Sequence, residues 1–150
     1  SIVANGGTQY QPYLVDSILN ADGSQYAVPK RAGGKHIDIS QQTIDYMRMG
    51  MSATTQEGGT ASYFNALPRK IAGKTGTAEN SHGRDHGLFV AYGPVEDPEL
   101  VVVCIVEQGG YGSTAAGPIV YKAFEEYFRE RGWMPEEKPE TEAASERKQQ

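Results

Sequence analysis

The run Val101-Val102-Val103-Cys104-Ile105-Val106 is the longest apolar stretch of this 150-residue chain. It constrains the fold more than any other feature. It has the length of a β-strand, is rich in β-branched side chains, and places apolar residues on both of its alternating faces. Such a strand belongs to a sheet covered on both sides. The turn Pro94–Pro98 precedes it, and His86–Gly93 before the turn reads as a second strand, so the two pair antiparallel. Lys70–Ala78 reads as a third strand, and the last of the three runs from Leu100 to Glu107. Beyond the glycine-rich loop Gln108–Ser113, a helix is predicted from Thr114 to Arg131. Ala116, Ile119, Val120, Ala123, Phe124, Tyr127 and Phe128 form its apolar stripe, and Gly132 forms its cap. Cys104, the single cysteine, is expected to be a buried small hydrophobe.

The earlier part of the chain is less regular. Ser1–Gly7 reads as the last turn of a helix closed by glycine, which suggests that the sequence enters an architecture already under way. Pro12–Leu19 is expected to be a strand, Asn20–Gly23 a turn, Tyr26–Val28 a short return strand and Pro29–Lys35 a basic loop. Ser40 is placed to cap a helix running to about Thr54, with Ile44, Met47 and Met51 on its packed face. Thr60–Leu67 reads as a further turn or two ending before Pro68. From Pro135 onward, five Glu, three Lys or Arg and almost nothing apolar predict a disordered acidic tail over residues 135–150.

Composition narrows the function. Fourteen basic against nineteen acidic side chains give a net charge of -5, which disfavours a general nucleic-acid or anionic-membrane binder. One cysteine excludes an internal disulfide framework and a cysteine-rich zinc site. No stretch approaches eighteen apolar residues.

Several motifs fail on their surroundings. Gly73-Lys74-Thr75 resembles the end of a phosphate-binding loop, but Pro68 occupies the position of the required first glycine. Gly110-x-Gly112-x-x-Ala115 leaves too little chain after it for a dinucleotide fold and reads as a flexible turn feeding a helix. His82 and His86 have metal-ligand spacing, but Gly83 lies in the turn between them and no metal is expected. Ser145-x-x-Lys148 lies in the charged tail, where a nucleophile would have no pocket.

The stretch Ile71-Ala72-Gly73-Lys74-Thr75-Gly76-Thr77-Ala78-Glu79 resembles the Lys-Thr-Gly motif of the penicillin-recognising serine enzymes. Around it, Ala4-Asn5-Gly6-Gly7, Pro12-Tyr13-Leu14-Val15, Gly59-Thr60-Ala61 and His86-Gly87-Leu88-Phe89-Val90-Ala91-Tyr92-Gly93-Pro94 are similar to the monofunctional, class B penicillin-binding transpeptidases of the elongation type. The similarity covers roughly residues 1 to 131. It implies an α+β fold of the β-lactamase and transpeptidase-like kind, an antiparallel sheet with helices packed on it. Residues 1–134 would then be the C-terminal part of such a domain. The family's Ser-x-x-Lys and Ser-x-Asn motifs do not occur in residues 1–134, so the resemblance places the nucleophile and its base on a separate, N-terminal part of the same domain.

The chemistry implied is serine acyl transfer at a peptide carbonyl beside a D-Ala carboxylate, followed by attack of an amine from a second stem peptide. A fixed positive charge and N–H donors for the oxyanion are needed. By the resemblance, Lys74 lends charge to the cleft. Thr75 and Thr77 offer hydroxyls to the substrate carboxylate, and the Thr77 N–H forms half of the oxyanion hole. Gly76 leaves room for the acyl chain along the strand edge. Strand alternation alone places Lys74 with Gly76 on one face and Thr75 with Thr77 on the other, so twist must gather them around one cleft. Tyr111 and Trp133 are candidates for substrate stacking or, equally, for surface anchoring. The implied partners are the peptidoglycan stem peptide, β-lactams and the N-terminal part of the domain. No nucleic acid and no cofactor is expected. The implied location is the bacterial cell envelope, on the outer face of the cytoplasmic membrane. The rival expectations are a β-lactam sensor of the same fold and a non-catalytic binding or assembly module.

Overall fold

The structure is a computed structural model that describes residues 1–135, so the expected acidic tail, save Pro135, lies outside the described residues. The chain divides into two compact units, Ser1–Gly50 and Met51–Gln150.

The first unit opens with the expected glycine-closed turn. The N–H of Asn5 donates to Ser1 O at 3.0 Å and that of Gly7 to Ile2 O at 2.8 Å, while Gly6 and Gly7 take φ of 80° and 108°. This is a turn with Schellman-type hydrogen bonding, in which glycine enters the left-handed region without a Cβ clash. Arg48 completes it, its guanidinium donating to the carbonyl oxygens of Val3 (2.8 Å) and Ala4 (2.7 Å). β1 (Thr8–Gln9) pairs antiparallel with β4 (Lys35–His36), and β2 (Ile18–Leu19) with β3 (Gln25–Ala27).

The predicted strand Pro12–Leu19 is thus confined to its last two residues. Pro12 has no N–H for a ladder, and the register shifts between Ile18 and Leu19, so pairing does not propagate. Lys35, expected in a loop, is paired with Gln9 instead. The turn between β2 and β3 is as expected. Gly23 has φ of 82°, and the Asp22 carboxylate accepts the Ser24 N–H at 2.9 Å and its hydroxyl at 2.6 Å. Those hydrogen bonds, the hydroxyl's foremost, hold the Asp22 carboxyl below the usual carboxylate range.

α1 (Gln41–Thr55) crosses from the first unit to the second. Ser40 caps it, its Oγ accepting the Thr43 N–H at 3.2 Å. Ile44, Arg48, Met51 and Thr55 form a sheltered stripe spaced by four, three and four residues, with Ser52 and Thr54 half-buried beside its end. Met47 falls on the flank of that stripe and is 46% exposed, contrary to its expected place on the packed face.

The second unit holds a three-stranded antiparallel sheet in the order β5 (Ala72–Ala78), β6 (His86–Gly93), β7 (Leu100–Val106). Its core is Ala61, Phe64, Leu67, Ile71, Phe89, Ala91, Ala116, Val120, Phe124 and Phe128. The Phe64 and Phe89 rings stack at 5.3 Å. Ser62–Ala66 is a 3-10 helix ahead of Pro68, as the sequence suggested. At its N-terminal side the buried Thr55 hydroxyl donates to the Ile71 carbonyl oxygen, just before β5.

Two expectations change here. The helix predicted from Thr114 is two helices, α2 (Gly112–Ala115) and α3 (Gly117–Glu130). Pro118 lies in the first turn of α3 and has no N–H to continue the α2 ladder. The buried stripe then runs Ala116, Val120, Phe124, Phe128 at intervals of four, which leaves Ile119 on the flank at 54% exposure. Gly132 does close α3: its φ is 70°, and Trp133 N–H reaches back to Phe128 O at 2.8 Å.

The second change concerns β7, expected to be covered on both faces. Leu100, Val102, Cys104 and Val106 pack against the core, whereas Val101, Val103 and Ile105 are 39%, 65% and 59% exposed. Among the described residues, helices cover only the first of these faces. Cys104 accordingly is half-buried against the core rather than fully enclosed.

Candidate active site

β5 is an edge strand among the described residues, paired only with β6. Its register with β6 sets Lys74 opposite Val90, Thr75 opposite Phe89, Gly76 opposite Leu88 and Thr77 opposite Gly87. Cross-strand partners share a face, so Thr75 and Thr77 lie on the side of the buried Phe89, the helix-covered side. Lys74 and Gly76 lie on the other side, in line with Val90 and Val103, Leu88 and Ile105. The alternation expected from sequence therefore holds. Lys74 and Thr77 are exposed, while Thr75 and Gly76 are half-buried. The Lys74 Nζ donates to the carbonyl oxygen of Thr75 at 2.6 Å, so the ammonium folds along the strand rather than standing away from it.

The glycines of this strand are set by the close approach of side chains on β6. A Cβ at Gly73 would stand 2.9 Å from the Phe89 ring, and one at Gly76 would stand 3.2 Å from the Leu88 Cβ. α2 rests directly on the strand pair: a Cβ at Gly112 would lie 2.0 Å from the Leu88 carbonyl oxygen and 2.4 Å from that of Gly76. The junction between α2 and α3 is equally tight, since a Cβ at Gly117 would meet the Tyr63 hydroxyl at 2.0 Å. That hydroxyl donates to the Ser113 carbonyl oxygen at 2.9 Å. Burial pushes the Tyr63 phenol above its ordinary value.

The glycine-rich loop Gln108–Ser113, which overlaps the segment read from sequence as a flexible turn, is fastened to the β5–β6 hairpin by hydrogen bonds from Gln108 and Gly110. Its only sequence signal was the density of glycine at 109, 110 and 112. Tyr111 is 73% exposed at the start of α2, beside the strand carrying Thr77. Trp133 is at the other end of α3, its ring 5.4 Å from that of Phe128 and beneath the Arg69 guanidinium at 4.9 Å. Those contacts make it an anchoring aromatic. His82 shares a hydrogen bond with Ser81, and His86 accepts the Gln108 N–H.

Comparison with known proteins places the chain in a family. The sequence matches the penicillin binding protein transpeptidase domain over residues 1–125. It is 31% identical over 124 residues to the peptidoglycan D,D-transpeptidase PbpA of Mycolicibacterium smegmatis, covering 77% of this chain and 24% of that protein. To the peptidoglycan D,D-transpeptidase MrdA of Salmonella typhimurium it is 28% identical over 144 residues, covering 83% and 23%. The structure superposes on the D,D-transpeptidase domain of a peptidoglycan glycosyltransferase from Eggerthella lenta with a TM-score of 0.72 at 31% identity, covering 89% of this chain and 31% of that one. For PBP2 of Pseudomonas aeruginosa in complex with WCK 5153 the values are 0.68 and 31%, with 85% and 27% covered. The chain belongs to the penicillin-binding transpeptidase family, class B, and has that family's α+β fold. It spans about a quarter of the length of the curated relatives it matches.

Proposed function

We propose that this chain supplies the Lys-Thr-Gly wall of a peptidoglycan D,D-transpeptidase site of the elongation type, acting in the bacterial cell envelope on the outer face of the cytoplasmic membrane. Residues 1–134 are the C-terminal part of the catalytic domain. The Ser-x-x-Lys and Ser-x-Asn motifs come from its N-terminal part. The observation that carries this reading is the exposed edge of β5, where Lys74, Thr75, Gly76 and Thr77 stand in sequence beside no neighbouring strand among the described residues.

In the reaction, the serine Oγ of the N-terminal part attacks the carbonyl carbon of the penultimate D-Ala of a stem peptide. The oxyanion that develops is held by the Thr77 N–H and the N–H of the serine itself. Donors aimed at that charge act strongly because they need no reorganisation as it forms. The terminal D-Ala carboxylate is met by the hydroxyls of Thr75 and Thr77, while Lys74, from the opposite face of β5, lends its charge to the cleft around the strand edge. The carbon–nitrogen bond breaks, D-Ala leaves with a proton, and an amine of a second stem peptide resolves the acyl-enzyme. Gly76, without a side chain, lets the acyl chain lie along β5 as an added strand. β-Lactams would occupy the same place in this reading, in keeping with the imipenem acyl-enzyme complex of a relative, penicillin-binding protein A of M. tuberculosis.

Fluorescent penicillin tests the reading. The chain alone takes no covalent label, whereas the domain completed by its N-terminal part is labelled at a serine outside residues 1–134. A covalent adduct on this chain alone, or a completed domain that resists labelling, overturns it.

A further inference from the structure

The loop between β7 and α2 is held down by the hairpin beside it. The Gln108 N–H donates to Nδ1 of His86 across 3.1 Å. The Gly110 N–H donates to the carbonyl oxygen of Asp85 at 2.8 Å. Gln108 has φ of 54°, in the left-handed region that a residue with a side chain seldom occupies. Such a conformation persists where its surroundings over-determine it, and these two bonds flank it.

The seated loop touches the strand pair that carries Thr77. Gly87 is the cross-strand partner of Thr77. A Cβ on Gly87 would stand 3.0 Å from the Gly110 carbonyl oxygen and 3.3 Å from the Tyr111 carbonyl carbon. The next residue is Gly112, packed against the carbonyl oxygens of Gly76 and Leu88. These contacts are with backbone atoms and the Ala115 methyl group, with no pliable side chain between them, so displacement of the loop is passed to the strands.

We propose that His86 is a positioning residue for the Lys-Thr-Gly strand. Its Nδ1 seats the loop Glu107–Tyr111 through the Gln108 amide, and the loop holds Gly76 and Thr77 in place on β5. The inference rests on the reading of Thr77 as an oxyanion donor. A ring whose Nδ1 accepts a hydrogen bond is the neutral tautomer protonated at Nε2. Asparagine carries an acceptor, Oδ1, at the same distance from its Cα and cannot be protonated there. Alanine carries none.

The test uses the completed transpeptidase domain as wild type, His86→Asn and His86→Ala, with three readouts. The 15N resonances of His86 are expected to show protonated Nε2 and acceptor Nδ1. The Gln108 amide is expected to be protected from exchange in the wild type and in His86→Asn, and to exchange freely in His86→Ala. Since a small misplacement of a catalytic group costs up to about 100-fold in rate, His86→Ala is expected to slow penicillin acylation about tenfold, with His86→Asn within about twofold of wild type. A ring protonated at Nδ1 overturns the proposal. So does a folded His86→Ala domain that keeps both Gln108 protection and the wild-type rate. If His86→Ala does not fold, the tautomer and the His86→Asn variant decide. If the wild-type domain is not acylated, the functional reading fails, while the tautomer and the amide exchange still decide whether His86 clasps the loop.

Discussion

Gly112 stands against Gly76 so closely that a Cβ on the first would lie 2.4 Å from the carbonyl oxygen of the second. At Gly112, α2 thus meets the Lys-Thr-Gly strand backbone to backbone, and the volume of one methyl group is absent from the contact. Gly112→Ala must push α2 away from β5 and β6 or distort one of them. The expected cost is about 1–3 kcal/mol, typical of overpacking. It is accompanied by a loss of penicillin acylation in the completed domain. A thermal melt and an acylation rate measured on the same sample check this, and an unchanged melt counts against direct contact.

Lys74 separates function from stability. Its side chain is exposed and its one observed bond is to the neighbouring Thr75 carbonyl. Lys74→Ala is expected to change stability by no more than about 0.5 kcal/mol, as for other surface positions. Acylation of the completed domain should fall on the order of 100-fold, comparable to loss of an oxyanion donor. Wild-type acylation in the variant would reduce Lys74 to a charged residue that protects a sheet edge.

The uncovered face of β7 has consequences for the chain in isolation. Val103 and Ile105 are 65% and 59% exposed on a strand that is an edge among the described residues. Contiguous apolar area next to unpaired backbone groups templates association. The chain alone is expected to self-associate as its concentration rises, and Val103→Lys with Ile105→Lys to shift it toward monomer. Sedimentation together with hydrogen exchange over residues 101–106 reads the outcome. Strong protection, in a dilute monomer, of the Val101–Val106 amides that face away from β6 speaks against it.

Tyr63 predicts an alkaline limb of stability. Its hydroxyl donates to Ser113 O, and burial raises its pKa above the ordinary value near 10. The folded chain therefore holds this proton more tightly than the unfolded chain does. The contribution is fully present below the unfolded pKa and is lost as pH rises through it toward the folded one. Melting temperatures from about pH 8 to about pH 11 should fall less steeply for Tyr63→Phe than for the wild type. Parallel curves would assign the limb to other groups.

Much of this was readable from local pattern. The β6–β7 hairpin follows from two apolar runs around a proline-bounded turn. The caps at Ser40 and Gly132 follow from hydroxyl and glycine chemistry that acts within a few residues. The Lys-Thr-Gly segment was legible as a strand with alternating faces because the period of two is a property of the backbone itself. These features depend on neighbours in sequence, so the residues alone determine them.

Other features depended on elements distant in sequence. The apolar composition of Val101–Val106 marks both faces for burial, yet which face is covered depends on where α3 lies. Met47 and Ile119 are apolar and near the packed stripes, but the rotation of each helix, fixed by Ile44 and Arg48 in one and by Phe124 and Phe128 in the other, turns them outward. His86 matched a metal-ligand spacing in sequence, and only the arrival of Gln108, twenty-two residues later, turns its Nδ1 into the acceptor that seats a loop. Local propensity sets what an element is. Its orientation, and the work its side chains do, are set by packing against surfaces that come together only in the folded chain.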